Sequence, residues 1–207
     1  GGTGFIVTEN AYHGVTYAIA GMSPSLGSGV DLGQHVRVVP APGTGPDTGA
    51  VFAAGVEAAI RDLQRHGIKP AALIVDTVFS SDGVFTEPAG FLAPAVAAIR
   101  AAGGLFIADE VQPGFGRTGA TMWGFQRHGL VPDMVSLGKP MGNGYPVAGL
   151  VMQPGVIEAF GAKARYFNTF GGNAVAAATA MAVLEVVEGE GLMANCAQVG
   201  SVFADGL

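Results

Sequence analysis

The chain has 207 residues, 49% hydrophobic and 13% charged, with 34 glycines and 12 prolines; its mean hydropathy of +0.43 excludes a disordered protein. A formal net charge of −6 argues against nucleic acid or an anionic membrane as partner, because both favour clustered Lys and Arg. No apolar run approaches the roughly 20 residues that cross a bilayer, and no basic start leads into an apolar stretch as in a signal peptide, so the cytoplasm is the expected location. In chain order, "GFIVT" (4–8) and "VRVV" (36–39) read as strands, and "VPAPGTGPDTGA" (39–50) as a surface loop. The next segment, 50–67, sets Val56, Ile60 and Leu63 on one helical face and stops at Gly67, with Pro70 beyond. "AALIVD" (71–76) is a strand, 90–104 a helix halted by Gly103 and Gly104, and "GLFIAD" (104–109), "DMVSLG" (133–138) and "VAGLVM" (147–152) are further strands. An alanine-rich helix follows Asn173 and ends near Gly191. Strands alternating with helices at this spacing predict an α/β fold: one domain, 1–207, with a mostly parallel sheet and helices on both faces.

Ligands of such sheets settle beyond the carboxyl ends of the strands, so the polar residue ending each apolar run matters most. Three runs end in chemistry: Asp76, Asp109 followed by Glu110 and Gln112, and Lys139. Taken singly, Asp76 or Glu110 reads as a cap for the next helix. Together, a carboxylate and a lysine ending separate strands of one sheet converge on one crevice, where a partly desolvated lysine becomes a nucleophilic amine suited to Schiff-base chemistry. A second reading groups Asp76, Asp109 and Glu110 around a Mg²⁺ ion, but leaves Lys139 without a role. Metal ligation is therefore not the expectation. Cys196 is the sole cysteine, which excludes an internal disulfide and reads as a buried, inert thiol. His35, His66 and His128 show no partner pattern and read as surface residues.

The blocks "ENAYHGVT", "LFIADEVQPGFGRTG", "MWGFQRHGLVPDMVSLGKP", "VSLGKPMGNGYPVAG" and "YFNTFGGNAVAAATAMAVLEVVEGEGL" resemble, in order and over nearly the whole chain, the class III aminotransferases, pyridoxal-phosphate enzymes of fold type I. The resemblance implies the cofactor pyridoxal 5'-phosphate bound as a Schiff base on Lys139, which then shuttles a proton. It implies Asp109 facing the pyridine nitrogen, Gln112 bonding the phenolic oxygen, and Tyr12 and Val111 on opposite ring faces. Without it, Tyr12 would read as a core aromatic. His13 falls near the ring in the family, either as a cofactor contact or as a structural histidine. Thr169 matches a threonine that reaches the partner subunit's cofactor phosphate, which implies a homodimer with shared sites.

Two departures stand out. The family's N-terminal segment and its Ser-Gly-[Ser/Thr]-Glu-Ala phosphate loop have no counterpart here, nor has the small C-terminal domain with its substrate-carboxylate arginine. The chain is accordingly expected to be a fragment of the large domain that binds cofactor weakly and turns over little. Where many members carry Glu-Pro-[Ile/Val]-Gln-Gly, this chain reads "DTVFSSDG" (76–83), which resembles the branch of alanine–glyoxylate aminotransferases of the second type and amino-alcohol-phosphate phospho-lyases. The implied function is amino transfer between a small-molecule amino donor and a 2-oxo acid or aldehyde. A phospho-lyase and a catalytically silent dimerisation module are the alternatives.

Overall fold

A computed structural model describes residues 1–207. Six strands form one sheet: β1 (Gly4–Thr8), β2 (Val36–Val39), β3 (Pro70–Asp76), β4 (Leu105–Asp109), β5 (Met134–Leu137) and β6 (Gly149–Met152), in the order β2-β1-β3-β4-β5-β6. All neighbours are parallel except β5 and β6, which are antiparallel. Helices are α1 (Tyr17–Ala20), α2 (Thr48–Arg65), α3 (Ala93–Ala101), α4 (Pro154–Gly161), α5 (Ala174–Gly189) and α6 (Leu192–Asp205).

The main core fills the space between the sheet and the α2–α3 layer. Strand alternation turns Ile6, Leu73, Val75, Phe106 and Ala108 to this side. They meet Phe52, Val56, Ile60 and Leu63 of α2, recurring at helical spacing, and Ala95, Val96 and Ile99 of α3. Phe52 and Phe79 cross edge to face at 5.6 Å, and Phe91 leans against both. Gly67 (φ +73°) and Gly103 (φ +80°) end the two helices in the left-handed region, as their positions in the sequence led us to expect. The opposite face is covered more thinly. Val7, Val36 and Ile74 lie under Ala11 and Met22 of the β1–β2 connection, which also carries α1.

These two coverings locate the site. The chain leaves β1 over one face to reach β2, then returns over the other face through α2 to β3 and through α3 to β4. The direction of winding therefore reverses between β1 and β3, which opens a crevice at their carboxyl ends.

Helix α2 is tied to β2 by Arg37, whose Nε donates to Asp62 Oδ2 at 2.5 Å, while Arg65 reaches the other carboxylate oxygen. These two guanidinium bonds pull the Asp62 carboxyl from 3.8 down to about 2. A depressed carboxyl stabilises the fold fully above the unfolded value and loses its contribution as pH falls through the folded one. The melting-temperature gap between the native chain and Asp62→Asn is therefore expected to be widest above pH 4 and to close towards pH 2, as followed by circular dichroism. A gap that does not change with pH would assign the effect to packing.

The last third of the chain is packed differently. Helices α4 and α6 bury no residue and α5 only Ala176. Asn173 caps α5 by accepting from the Ala176 amide at 2.9 Å, as its position predicts. Tyr166, Phe167 and Phe170 are 73%, 82% and 79% exposed. Cys196 lies on α6 and is exposed, contrary to the expected buried thiol, because little packs over that helix.

Candidate active site

The segments after β1, β3, β4 and β5 enclose a cavity of about 160 Å³. The first supplies Tyr12 and His13, the second Asp76, Ser80 and Ser81, the third Asp109, Val111 and Gln112, and the fourth Lys139. Six of the seven residues singled out above thus share one cavity, and Thr169 does not line it. Thr169 sits in the exposed stretch between α4 and α5.

Asp109 forms the floor and is 5% exposed. Its Oδ2 accepts from Nδ1 of His13 at 2.7 Å, and its Oδ1 from the Ser136 hydroxyl and the Val111 amide, each at 3.1 Å. A carboxylate offers about four acceptor positions, so three donors leave one open. Nε2 of His13 is buried with no partner, leaving the imidazole anchored through Nδ1 alone. Ser136 was not foreseen. It stands opposite Asp109 in the β4–β5 register, and the signal was a lone serine inside an apolar strand.

Asp76 lies opposite Asp109 on β3. It accepts from the Val78 amide at 2.9 Å, the Ser80 amide at 3.2 Å and the Ser80 hydroxyl. It therefore ties down the turn after β3 rather than capping the next helix, which begins only at Ala93, while also forming cavity wall. Burial raises its carboxyl above the ordinary 3.8, and the neighbouring charge of Asp109 adds to the effect. Farther out, Asp82 accepts from the Thr8 hydroxyl at 2.6 Å and the Asn10 amide at 2.9 Å, lashing the Ser80–Ser81 loop to the loop that carries Tyr12.

Glu110 points away. Successive strand residues face opposite sides, so the acid after Asp109 turns into the core, where it is fully buried. It takes no part in a cluster with Asp76 and Asp109, and no group of three or more His, Cys, Asp or Glu side chains is placed to hold a metal ion. His128 also departs from expectation. It is 4% exposed, its Nε2 meets the Thr77 carbonyl at 3.1 Å, and its ring stands edge-on to Phe91 at 4.9 Å.

Lys139 follows Gly138 at the end of β5 and opens a 3₁₀ turn, Lys139–Gly142. Its φ is +34°, a region that costs a non-glycine residue roughly 1–3 kcal/mol. Lys139 lines the cavity from this position. Partial desolvation was expected, but Lys139 is exposed and no ion pair reaches it, since no element of this chain covers its side chain. Val111 packs on the Gly138 backbone, about 3.6 Å from where a Cβ would stand. Tyr12, 44% exposed, forms another wall. Gln112 accepts from Arg117 Nε through its carbonyl at 2.6 Å, which fixes its backbone and leaves its side-chain amide uncommitted.

Residues 2–207 match the family model described as "Aminotransferase class-III". An alanine–glyoxylate aminotransferase 2-like protein of Drosophila melanogaster is 37% identical over 94% of this chain and 42% of its own length. An ethanolamine-phosphate phospho-lyase homolog of Caenorhabditis elegans is 34% identical over 94% of this chain and 46% of its own. Among solved structures, a phospholyase from Arthrobacter in complex with phosphoethanolamine superposes with a TM-score of 0.92 at 39% identity, covering 97% of this chain and 49% of that one. A Bacillus anthracis aminotransferase gives 0.85 at 27% identity, covering 96% and 47%. The chain thus spans about half the length of the proteins it matches.

Proposed function

The chain belongs to the class III aminotransferase family, and from that premise we propose that its cavity takes pyridoxal phosphate and transfers an amino group from a small-molecule amine to a 2-oxo acid or aldehyde. The observation that carries this reading is the buried Asp109 carboxylate with one acceptor position open, on the same cavity as a lysine from the adjacent strand. That donor set fits a protonated ring nitrogen. When bound, pyridoxal phosphate, the cofactor of this family, supplies an aldehyde that captures amines and a protonated ring that draws off electrons.

This chain's residues do the rest. Asp109 holds the ring N–H proton in place, and His13 and Ser136 keep its carboxylate oriented. Tyr12 and Val111 offer flat and branched surfaces for the two ring faces, and the free amide of Gln112 donates to the ring hydroxyl oxygen. The amine of Lys139 takes the proton from the substrate carbon that bears nitrogen and returns it one step later. Thr169, outside its own cavity, serves the phosphate of a second copy in a homodimer.

The phospho-lyase reading has its own support: the Arthrobacter structure shares the fold closely, and Ser80 and Ser81 give the cavity a hydroxyl wall. Incubation of the cofactor-loaded chain with alanine and glyoxylate, and separately with phosphoethanolamine, distinguishes the two. Pyruvate without released phosphate, formed at a low rate, is the expected result. Phosphate release from phosphoethanolamine would replace it with the lyase, and neither product from a cofactor-loaded chain would leave a silent dimerisation module.

A further inference from the structure

The residues immediately after the two cavity acids form a buried clamp that the chemistry above does not use. Thr77 follows Asp76, Glu110 follows Asp109, and both are fully buried. The Thr77 hydroxyl donates to Glu110 Oε1 at 2.6 Å. The same carboxylate accepts from the Phe125 amide at 2.9 Å and, through Oε2, from the Gly124 amide at 2.7 Å. Those amides open the 3₁₀ turn Gly124–His128 and lack partners within it. At the far end of the turn, His128 Nε2 donates to the Thr77 carbonyl at 3.1 Å. The turn is thus bolted at both ends to the tips of β3 and β4. No side chain fits at Gly124, where a Cβ would strike the Thr77 hydroxyl and stand 2.7 Å from Pro113.

We propose that Glu110 is a positioning residue for Asp109: by closing the Gly124–His128 turn against Thr77, it fixes the direction of the Asp109 carboxylate and of the Val111–Gln112 segment that follows. Asp109, Glu110 and Val111 are consecutive, and the Val111 amide itself donates to Asp109, so no swing of the Glu110 backbone leaves the cavity floor unmoved. Glu110 is no proton donor to substrate, because it does not line the cavity and both its oxygens are engaged. Burial raises its carboxyl above the ordinary 4.5 against the pull of these donors, so the clamp holds a group that does not ionise cheaply. Such a cost is tolerated where geometry matters. The inference rests on the reading of Asp109 as the acid that faces the cofactor.

The test uses the unloaded chain and the His13 Nδ1–H proton, which is shielded by the 2.7 Å bond to Asp109 and observable by NMR with ¹⁵N-labelled histidine. Thr77→Val removes one clamp bond without changing shape, Thr77→Ser restores it, and Glu110→Asp keeps the charge but shortens the reach. Thr77→Val and Glu110→Asp are expected to speed exchange of this proton with water at least tenfold while thermal unfolding stays cooperative, and Thr77→Ser to return it to the native rate. An unchanged His13 proton in both variants would overturn the proposal. So would acceleration that Thr77→Ser fails to rescue, or that every core amide shares equally, since either marks general loosening. Trapping of pyridoxal phosphate on the native chain decides the cofactor reading separately, and its failure does not alter the His13 signal.

Discussion

Replacing Lys139 with alanine is expected to abolish the borohydride-stable pyridoxal adduct and leave the fold intact. Only three lysines exist in the chain, Lys69, Lys139 and Lys163. Lys69 and Lys163 are exposed and neither lines the cavity that Asp109 floors. At equal intrinsic reactivity a free aldehyde would label all three. A bound ring instead places its aldehyde carbon near one amine, and effective concentration then overrides the statistical distribution. Mass mapping after reduction should therefore find Lys139 labelled at limiting cofactor in the native chain and no stoichiometric label in Lys139→Ala. Stability is expected to change by no more than about 0.5 kcal/mol, because the side chain is exposed and unpaired and alanine inherits the same positive φ. Persistent labelling at Lys69 or Lys163 with a yellow absorbance band would move the chemistry away from the β5 end.

Asp109→Asn is the second large effect. The substitution keeps size and one acceptor oxygen but removes the charge, and its amide NH₂ faces either His13 Nδ1 or the Ser136 and Val111 donors. A donor turned on a donor in a site this buried costs about 1–3 kcal/mol of stability. With Asp109 in the proposed role of facing the ring nitrogen, the catalytic loss should exceed that, because only a charged partner would keep that nitrogen protonated. We expect exchange of the substrate α-proton with deuterium, followed by NMR, to slow by about 10²–10³-fold, the range for losing a group aimed at transition-state charge. A loss below tenfold would shift the role to Asp76, the carboxyl next to it in the sheet.

The parts of the site that could be read from sequence are those set by strand ends. Each apolar run had to stop where its backbone left the core, so Asp76, Asp109 and Lys139 could be placed on one edge before their neighbours were known. Tyr12, His13, Gln112 and Val111 came from the resemblance, and the cavity gathers them. What could not be read depended on what covers what. Asp109 and Glu110 are adjacent acids in the text, yet strand alternation sends one to the cavity and the other to the core. His128 looked like a polar surface residue until the turn at Gly124 folded it against Phe91. Cys196 and Lys139 were expected to be drier than they are, because burial belongs to the neighbour and not to the residue. Helices α4 and α6 were not foreseen, and the apolar residues they carry at helical spacing are buried by nothing in this chain.

The sheet order has a consequence for how the protein comes into being. Tyr12, Asp76, Asp109 and Lys139 are far apart in the chain and meet only because β1, β3, β4 and β5 lie side by side. Parallel neighbours cannot zip from a tight hairpin; each pairing waits for a long crossover to close and bears its loop entropy first. During synthesis the strands β1 to β4 emerge before the lysine, and β2 and β3 take opposite edges of β1. No half-built chain therefore owns a rudimentary version of this cavity: Lys139 follows in the chain the strands that carry Asp76 and Asp109.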